Sequence, residues 1–135
     1  MNKLNKFTFT VVVDKHKIDD LNHVNNINYL EWVQSAAQKH WEILSNSNFE
    51  TKHVWVVLRH EIDYFSAAFL NDEITLKTWI GNSYGIRSDR YVNVMRNGEI
   101  LCSTKTIWCL LDKTTMKPTR IPSEIMEILT INKTV

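Results

Sequence analysis

The stretch Asn28-Tyr29-Leu30-Glu31-Trp32-Val33-Gln34-Ser35-Ala36-Ala37-Gln38-Lys39-His40-Trp41-Glu42-Ile43-Leu44 decides the fold. Leu30, Val33, Ala37, Trp41 and Leu44 form one stripe at helical spacing, and Tyr29, Trp32, Ala36 and Ile43 form a second stripe beside it. Together they cover well over half the circumference. A helix on a flat surface needs only one apolar face; this one calls for apolar surroundings on several sides, as when a curved sheet wraps it. Asn28 with Glu31 three residues later fits a capping box at its start. The run Ser45-Asn46-Ser47-Asn48 ends it.

Outward from this helix the chain reads as strands. Before it, Phe7, Phe9, Val11 and Val13 alternate with Thr8, Thr10 and Val12, the period of a strand. After it, Val54, Val56, Leu58, His60, Ile62 and Tyr64 share one face. Next, Ile74, Leu76, Thr78 and Ile80 alternate with Glu73, Thr75, Lys77 and Trp79. Residues Arg87 to Met95 and Leu101 to Leu111 flank Asn97-Gly98, a dipeptide suited to the positive φ of a type I′ hairpin turn. The turn-rich run Asp112 to Pro118 leads to a short helical turn from Pro122, with Ile125, Met126 and Leu129 as its apolar residues. The order is strand, polar loop, one long helix, then four strands in a meander, which defines an α+β domain over residues 1–135. Trp55, Val57, Trp79, Tyr91, Met95, Ile107 and Cys109 fall on the face opposite the core. That much outer apolar surface predicts an interface, and so at least a dimer.

Composition narrows the function. The chain has 135 residues, 44% apolar and 23% charged, ordinary globular usage that excludes disorder as the dominant state. Sixteen Lys and Arg against fifteen Asp and Glu give a net charge of +1, without the basic excess that nucleic-acid binding demands. The opening residues lack the apolar core of a secretory signal, and no apolar run reaches the roughly 20 residues of a membrane span. The expected compartment is the cytoplasm. Cys102 and Cys109 are seven apart in one strand, so about 23 Å and opposite faces separate them. A disulfide, which needs Cα atoms within about 7 Å, is not expected between them.

The loop before the helix carries the chemistry. Asp19-Asp20-Leu21-Asn22-His23-Val24-Asn25-Asn26 sets a carboxylate and an imidazole four residues apart, just ahead of a helix N-terminus. The helix start offers unpaired N–H groups and partial positive charge, suited to a carbonyl oxygen that becomes an oxyanion. A carboxylate nearby can attack a carbonyl carbon or deprotonate water. These parts suffice for acyl-group hydrolysis. Alternatives stand beside each reading. Asp19 is also an ordinary turn former, His23 a structural histidine, and Asn25 and Asn26 helix caps. Ile18, Leu21, Val24 and Ile27, every third residue, also suit an irregular helical extension. Arg87 and Arg90, with two residues between them at a strand start, are candidates for coenzyme A phosphates or a solvated strand edge. The spacing of Asp14, His16, Asp19 and His23 fits no familiar metal-ligand pattern.

The run Asp19-x-x-x-His23-Val24-Asn25-Asn26-x-x-Tyr29-Leu30-x-Trp32 resembles the signature of hotdog-fold thioesterases. It is similar to the 4-hydroxybenzoyl-CoA thioesterase-like group and to the acyl-ACP thioesterases. Weaker matches are Ile62-Asp63-Tyr64, Asn71-Asp72-Glu73, Trp108-x-x-x-Asp112 and Lys117-Pro118-x-Arg120-Ile121-Pro122, so the likeness covers nearly the whole chain. The resemblance implies a single hotdog domain, a five- to six-stranded antiparallel sheet around one long helix. It also implies a homodimer, or a tetramer, with sites at the subunit boundary and no cofactor. It makes Asp19 the nucleophile or general base, with His23 and Asn26 beside it as candidate catalytic residues. Asn22, Asn25, Tyr29, Arg87 and Arg90 are candidates for substrate contact. Leu21 stands where the acyl-ACP enzymes have a catalytic Asn, Ala67 near their Glu, and the chain has length for one repeat where they have two. These departures favour acyl-CoA over acyl-ACP as substrate, and leave a non-catalytic acyl-binding protein as the rival. Asn22 replaces a usual Gly of the 4-hydroxybenzoyl-CoA group, and Asn is among the few residues that tolerate αL.

Overall fold

The computed structural model describes residues 5–46 and 52–134. In chain order these form β1 (Lys6–Val12), a 3-10 turn (Lys15–Lys17), α1 (Asn26–Ser45), β2 (His53–Tyr64), β3 (Glu73–Tyr84), β4 (Arg87–Arg96), β5 (Glu99–Asp112) and α2 (Ser123–Ile131). The five strands make one antiparallel sheet in the order β1-β3-β4-β5-β2. Helix α1 packs on β1, β3 and β4, and touches α2. This is the expected α+β pairing of one long helix with one antiparallel sheet.

The expected four-strand meander holds only for β3, β4 and β5. Strand β2 lies at the far edge beside β5, so residues 65–72 carry the chain past two strands before β3 begins. Alternation identifies a strand but not its neighbour, which is set by non-local pairing. The β4–β5 hairpin turns at Asn97 and Gly98, with φ of 50° and 80°, as their type I′ chemistry predicts.

Two apolar clusters sit between helix and sheet. Val13, Val24, Tyr29, Trp32, Val33 and Ala36 meet Leu76, Val92, Val94 and Leu101 near the start of α1. Ile80, Leu110, Ile121, Ile125 and Leu129 form the second, with Trp41, Leu44 and Trp55 packed against it. Leu76 and Leu110 are fully buried, and truncating either to Ala costs about 2–5 kcal/mol. The expected outward placement of Trp55 and Val57 is corrected here. A register shift between Val57 and Arg59 reverses the strand's facing: Trp55 lies across from Leu110 and Ile62 across from Thr104. Leu58, expected inside, is 49% exposed. On the outer face Trp79 stacks on Tyr91 with centroids 5.6 Å apart. Gly81 is needed under that ring, because a Cβ there would come within 2.6 Å of Tyr91.

The helix starts earlier than the capping-box reading placed it. Asn25, not Asn28, is the N-cap, and its side chain accepts the Ile27 N–H at 3.1 Å. Asn28 lies inside the first turn, where its amide donates to Lys17 O at 3.3 Å. Asn46 ends the helix in the left-handed region, φ 56°; residues 47 and 48 of the expected terminator lie outside the described residues. Both cysteines are buried free thiols. Among the described residues, no helix is long and apolar enough to cross a membrane.

Candidate active site

The polar loop folds by closing on itself. Ile18 and Val24 form an isolated antiparallel bridge. Within it the Asp19 N–H donates to His23 O at 2.8 Å and the Asn22 N–H to Asp19 O at 3.1 Å. Asn22 takes φ 63°, so the αL tolerance read from its type is used. The Asp19 carboxylate completes the turn: Oδ1 accepts the N–H of Leu21 at 2.9 Å and of His23 at 3.2 Å. Oδ2 has no donor among the described residues. Asp19 is therefore a turn former through one oxygen and unengaged through the other. The segment is not a helical extension: Leu21 and Ile27 are exposed, and only Val24 of that series is buried.

A cleft of about 450 Å³ opens beside this turn. One wall is Asp19, Leu21 and His23; the floor is Asn25, Asn26 and Tyr29 at the start of α1. The opposite wall is Tyr64, Phe65, Ser66 and Ala67, where β2 runs into its connection to β3. The walls are tied together across the loop. The Val24 N–H donates to Ala68 O at 3.0 Å, and the Ala68 N–H to the Tyr29 hydroxyl at 3.0 Å. Burial of Tyr29 raises its phenol above the ordinary tyrosine value, although the Ala68 N–H acts in the opposite sense. The His23 ring stands edge-on to Phe69 with centroids 5.5 Å apart, which fixes its plane at the cleft's side.

The helix start presents one unused donor. Asn25 takes the Ile27 N–H with its side chain and the Asn28 N–H with its carbonyl. The N–H of Asn26, the first helical residue, has no acceptor among the described residues, and Asn26 lines the cleft. This is where the partial positive charge of the helix is concentrated.

The structure thus gathers Asp19, His23, Asn25, Asn26 and Tyr29 at one cleft, with exposed Asn22 shaping its turn. It does not bring Arg87 and Arg90 there. Three residues apart on β4, they take opposite faces: Arg87 is exposed, whereas Arg90 is buried, its Nη1 2.6 Å from His40 Nδ1. Buried Arg90 is thus corrected as a surface phosphate contact: strand parity turns it into the core. The wall residues Tyr64, Phe65 and Ser66 escaped the sequence reading, since only the strand crossover brings them to the loop. His40 had a legible signal: it falls four residues after Ala36 on the buried stripe. Among the described residues, no three His, Cys, Asp or Glu side chains are grouped to hold a metal ion, Asp14, His16, Asp19 and His23 included.

Comparison with known proteins agrees with this architecture. The sequence profile of the thioesterase-like superfamily matches residues 13–129. The chain belongs to that superfamily. It is 27% identical over 127 residues to the long-chain acyl-CoA thioesterase FadM of Escherichia coli, covering 88% of this chain and 93% of the relative. It is 26% identical over 104 residues to a chloroplast palmitoyl-acyl carrier protein thioesterase of Cuphea hookeriana, covering 69% of this chain and 25% of that protein. The chain therefore matches only about a quarter of that plant relative's length. In fold it is similar to a predicted thioesterase from Bacillus stearothermophilus, with TM-score 0.85 and 19% identity over 96% of this chain and 97% of the other. The hotdog architecture inferred from the loop motif is the architecture the chain has.

Proposed function

We propose that this protein hydrolyses an acyl-CoA thioester to a free carboxylic acid and coenzyme A. The observation that carries the reading is the pairing, at one cleft, of a carboxylate oxygen without a donor (Asp19 Oδ2) and a main-chain N–H without an acceptor (Asn26). The thioester carbonyl oxygen takes the Asn26 N–H, at the positive end of α1. Asp19 either attacks the carbonyl carbon or removes a proton from a water that does. Negative charge moves onto the carbonyl oxygen and is stabilised at the helix start. The C–S bond then breaks, and the thiolate leaves and takes up a proton; where water attacked, the acid is released directly, and where Asp19 attacked, a water hydrolyses the acyl–Asp19 anhydride to free the acid and restore the carboxylate. His23, held edge-on to Phe69, orients the acyl group or the water.

The carrier is coenzyme A rather than an acyl carrier protein. Support comes from the relative whose length this chain nearly spans, and from Leu21 and Ala67, apolar where the acyl-ACP enzymes carry Asn and Glu. The working form is a homodimer joined through sheet edges, acting in the cytoplasm, where two unpaired thiols remain reduced.

A panel of acyl-CoA esters with a free-thiol readout tests this, run beside Asp19→Asn. The wild type releases thiol, and the variant keeps its fold but loses at least about 10²-fold in rate. Full activity in the variant removes Asp19 from the chemistry. Saturable ester binding without thiol release by the wild type establishes instead an acyl-binding protein.

A further inference from the structure

A second concave region lies at the other end of α1. Asn26 and Ala37 are eleven residues apart, about 16 Å along the helix axis. Here Ala37 and Trp41 of α1, Trp55 of β2, Arg90 of β4 and Trp108 of β5 enclose a narrow space of about 60 Å³. The same three tryptophans also line a wider groove of about 380 Å³, bordered by His53 and Lys113. Rings Trp41 and Trp55 meet edge to face, centroids 5.7 Å apart, so the walls are aromatic and fixed.

The polar groups in these walls are mismatched in one direction. Arg90 is buried, and its hydrogen bonds go to neutral acceptors, both from Nη1: His40 Nδ1 at 2.6 Å and Thr78 Oγ1 at 3.4 Å. An imidazole nitrogen that accepts is unprotonated, so His40 brings no charge to answer the guanidinium. The ion pairs of the described residues join Arg59 to Glu61, Arg96 to Asp72 and Glu99, and Lys105 to Asp89; Arg90 has none. Burial alone pushes the guanidinium down, to about 9, which leaves it cationic at neutral pH. Nε and Nη2 have no acceptor among the described residues. The indole N–H of Trp108 is buried without a partner, and so is His53 Nδ1. Buried donors in native proteins are nearly always paired. Around the three tryptophans, Trp108 Nε1 and His53 Nδ1 are thus buried without partners, Arg90 keeps two donor atoms free, and the charge among these groups is positive.

We propose that this space binds a small aromatic monocarboxylate. Its carboxylate sits on the free edge of Arg90 with the Trp108 N–H as second donor, and its ring lies among Trp41, Trp55 and Trp108. A carboxylate matches the planar fork of a guanidinium with two parallel bonds. An apolar pocket with a few convergent polar groups is the usual construction of a small-molecule site. The site is separate from the Asp19 cleft and does not rest on the hydrolysis proposed there.

Phenylacetate is the probe, with phenylacetamide as its neutral isostere. Binding is measured by calorimetry on the wild-type protein and by the indole N–H resonances of the 15N-labelled protein. The expected result is saturable binding of one phenylacetate per chain, with a shift of the Trp108 indole signal. Phenylacetamide binds at least about tenfold more weakly, the scale of one charge-assisted contact. Trp108→Phe keeps a ring in place and removes only the N–H, and weakens phenylacetate about tenfold. Arg90→Gln abolishes binding; should that variant fail to fold, Trp108→Phe still decides. The proposal is overturned if no saturable binding is seen up to about 10 mM, a concentration above which affinity is negligible. Equal binding of the amide overturns it too, as does unchanged affinity in Trp108→Phe, or shifts confined to residues of the Asp19 cleft.

Discussion

The hydroxyl of Tyr29 accepts the main-chain N–H of Ala68 at 3.0 Å, across 39 residues of sequence. One bond thus fastens the first turn of α1 to the connection between β2 and β3, the two sides of the cleft. Both groups are buried. Tyr29→Phe keeps the ring, whose edge contacts with Trp32 and Tyr64 hold centroids at 5.4 Å, and removes only the acceptor. Leaving the Ala68 N–H unsatisfied costs about 1–3 kcal/mol. A lower denaturant midpoint at unchanged slope is the expected outcome.

The Asn26 N–H can be deleted without touching the fold, because proline is well accommodated at the first helical position. Its preceding residue, Asn25, already has the extended backbone that proline requires, φ −61° and ψ 137°. Asn26→Pro is expected to lower kcat by about 10²–10³-fold, the usual loss for one oxyanion donor. Asn26→Ala, which retains the N–H, is expected to stay within a fewfold of wild type. Steady-state thioester hydrolysis by the two variants separates main chain from side chain.

Asn22 sits at φ 63° between the two groups that the Asp19 turn holds together. Glycine occupies this region without steric cost, whereas a β-branched residue does not. Asn22→Gly is expected to fold with near-wild-type stability. Asn22→Val is expected to lose about 1–2 kcal/mol and to misplace Asp19, so thermal midpoint and hydrolysis fall together.

The cleft's second wall depends on charge. Arg96 Nη1 lies 2.7 Å from Asp72 Oδ2 and 3.2 Å from Ala67 O, and Asp72 also accepts the Phe69 N–H at 2.8 Å. Partial burial alone would raise the Asp72 carboxyl, but the bonds from Arg96 and Phe69 outweigh it and hold it below the ordinary aspartate value. A depressed folded-state value stabilises the protein above the unfolded value, near 3.8, and is lost as pH falls through the folded one. Asp72→Asn should therefore cost about 0.5–1 kcal/mol at pH 7, the scale of a well-formed but solvent-accessible pair. The wild-type advantage should vanish as pH drops below about 4, which denaturation of both proteins at a series of pH values measures.

Much of this was legible because it is local. The double stripe on α1 named Trp32, Val33, Ala36 and Ala37 as core, and they are buried. Asn97-Gly98 named a hairpin, and it turns there. The loop motif brought Asp19, His23, Asn25 and Asn26 together, since short spacing and a helix start leave little freedom. Asn25 rather than Asn28 is the cap, because a run of four Asn within seven residues offers several equivalent starts. Trp55 faces the core against the alternation of its strand, because one extra residue near Leu58 inverts the parity of everything before it, and no local signal announces a bulge.

By itself the sequence determined the element types, the buried helix and the carboxylate ahead of it, because backbone period and turn chemistry act over a few residues. The tertiary structure alone decided that β2 pairs with β5, that Tyr64 to Ala67 form the cleft's far wall, and that Arg90 turns inward to His40. Those outcomes depend on contacts between residues far apart in the chain, 39 positions for Tyr29 and Ala68 and 50 for Arg90 and His40, where chain topology and strand parity, not local preference, select the partner.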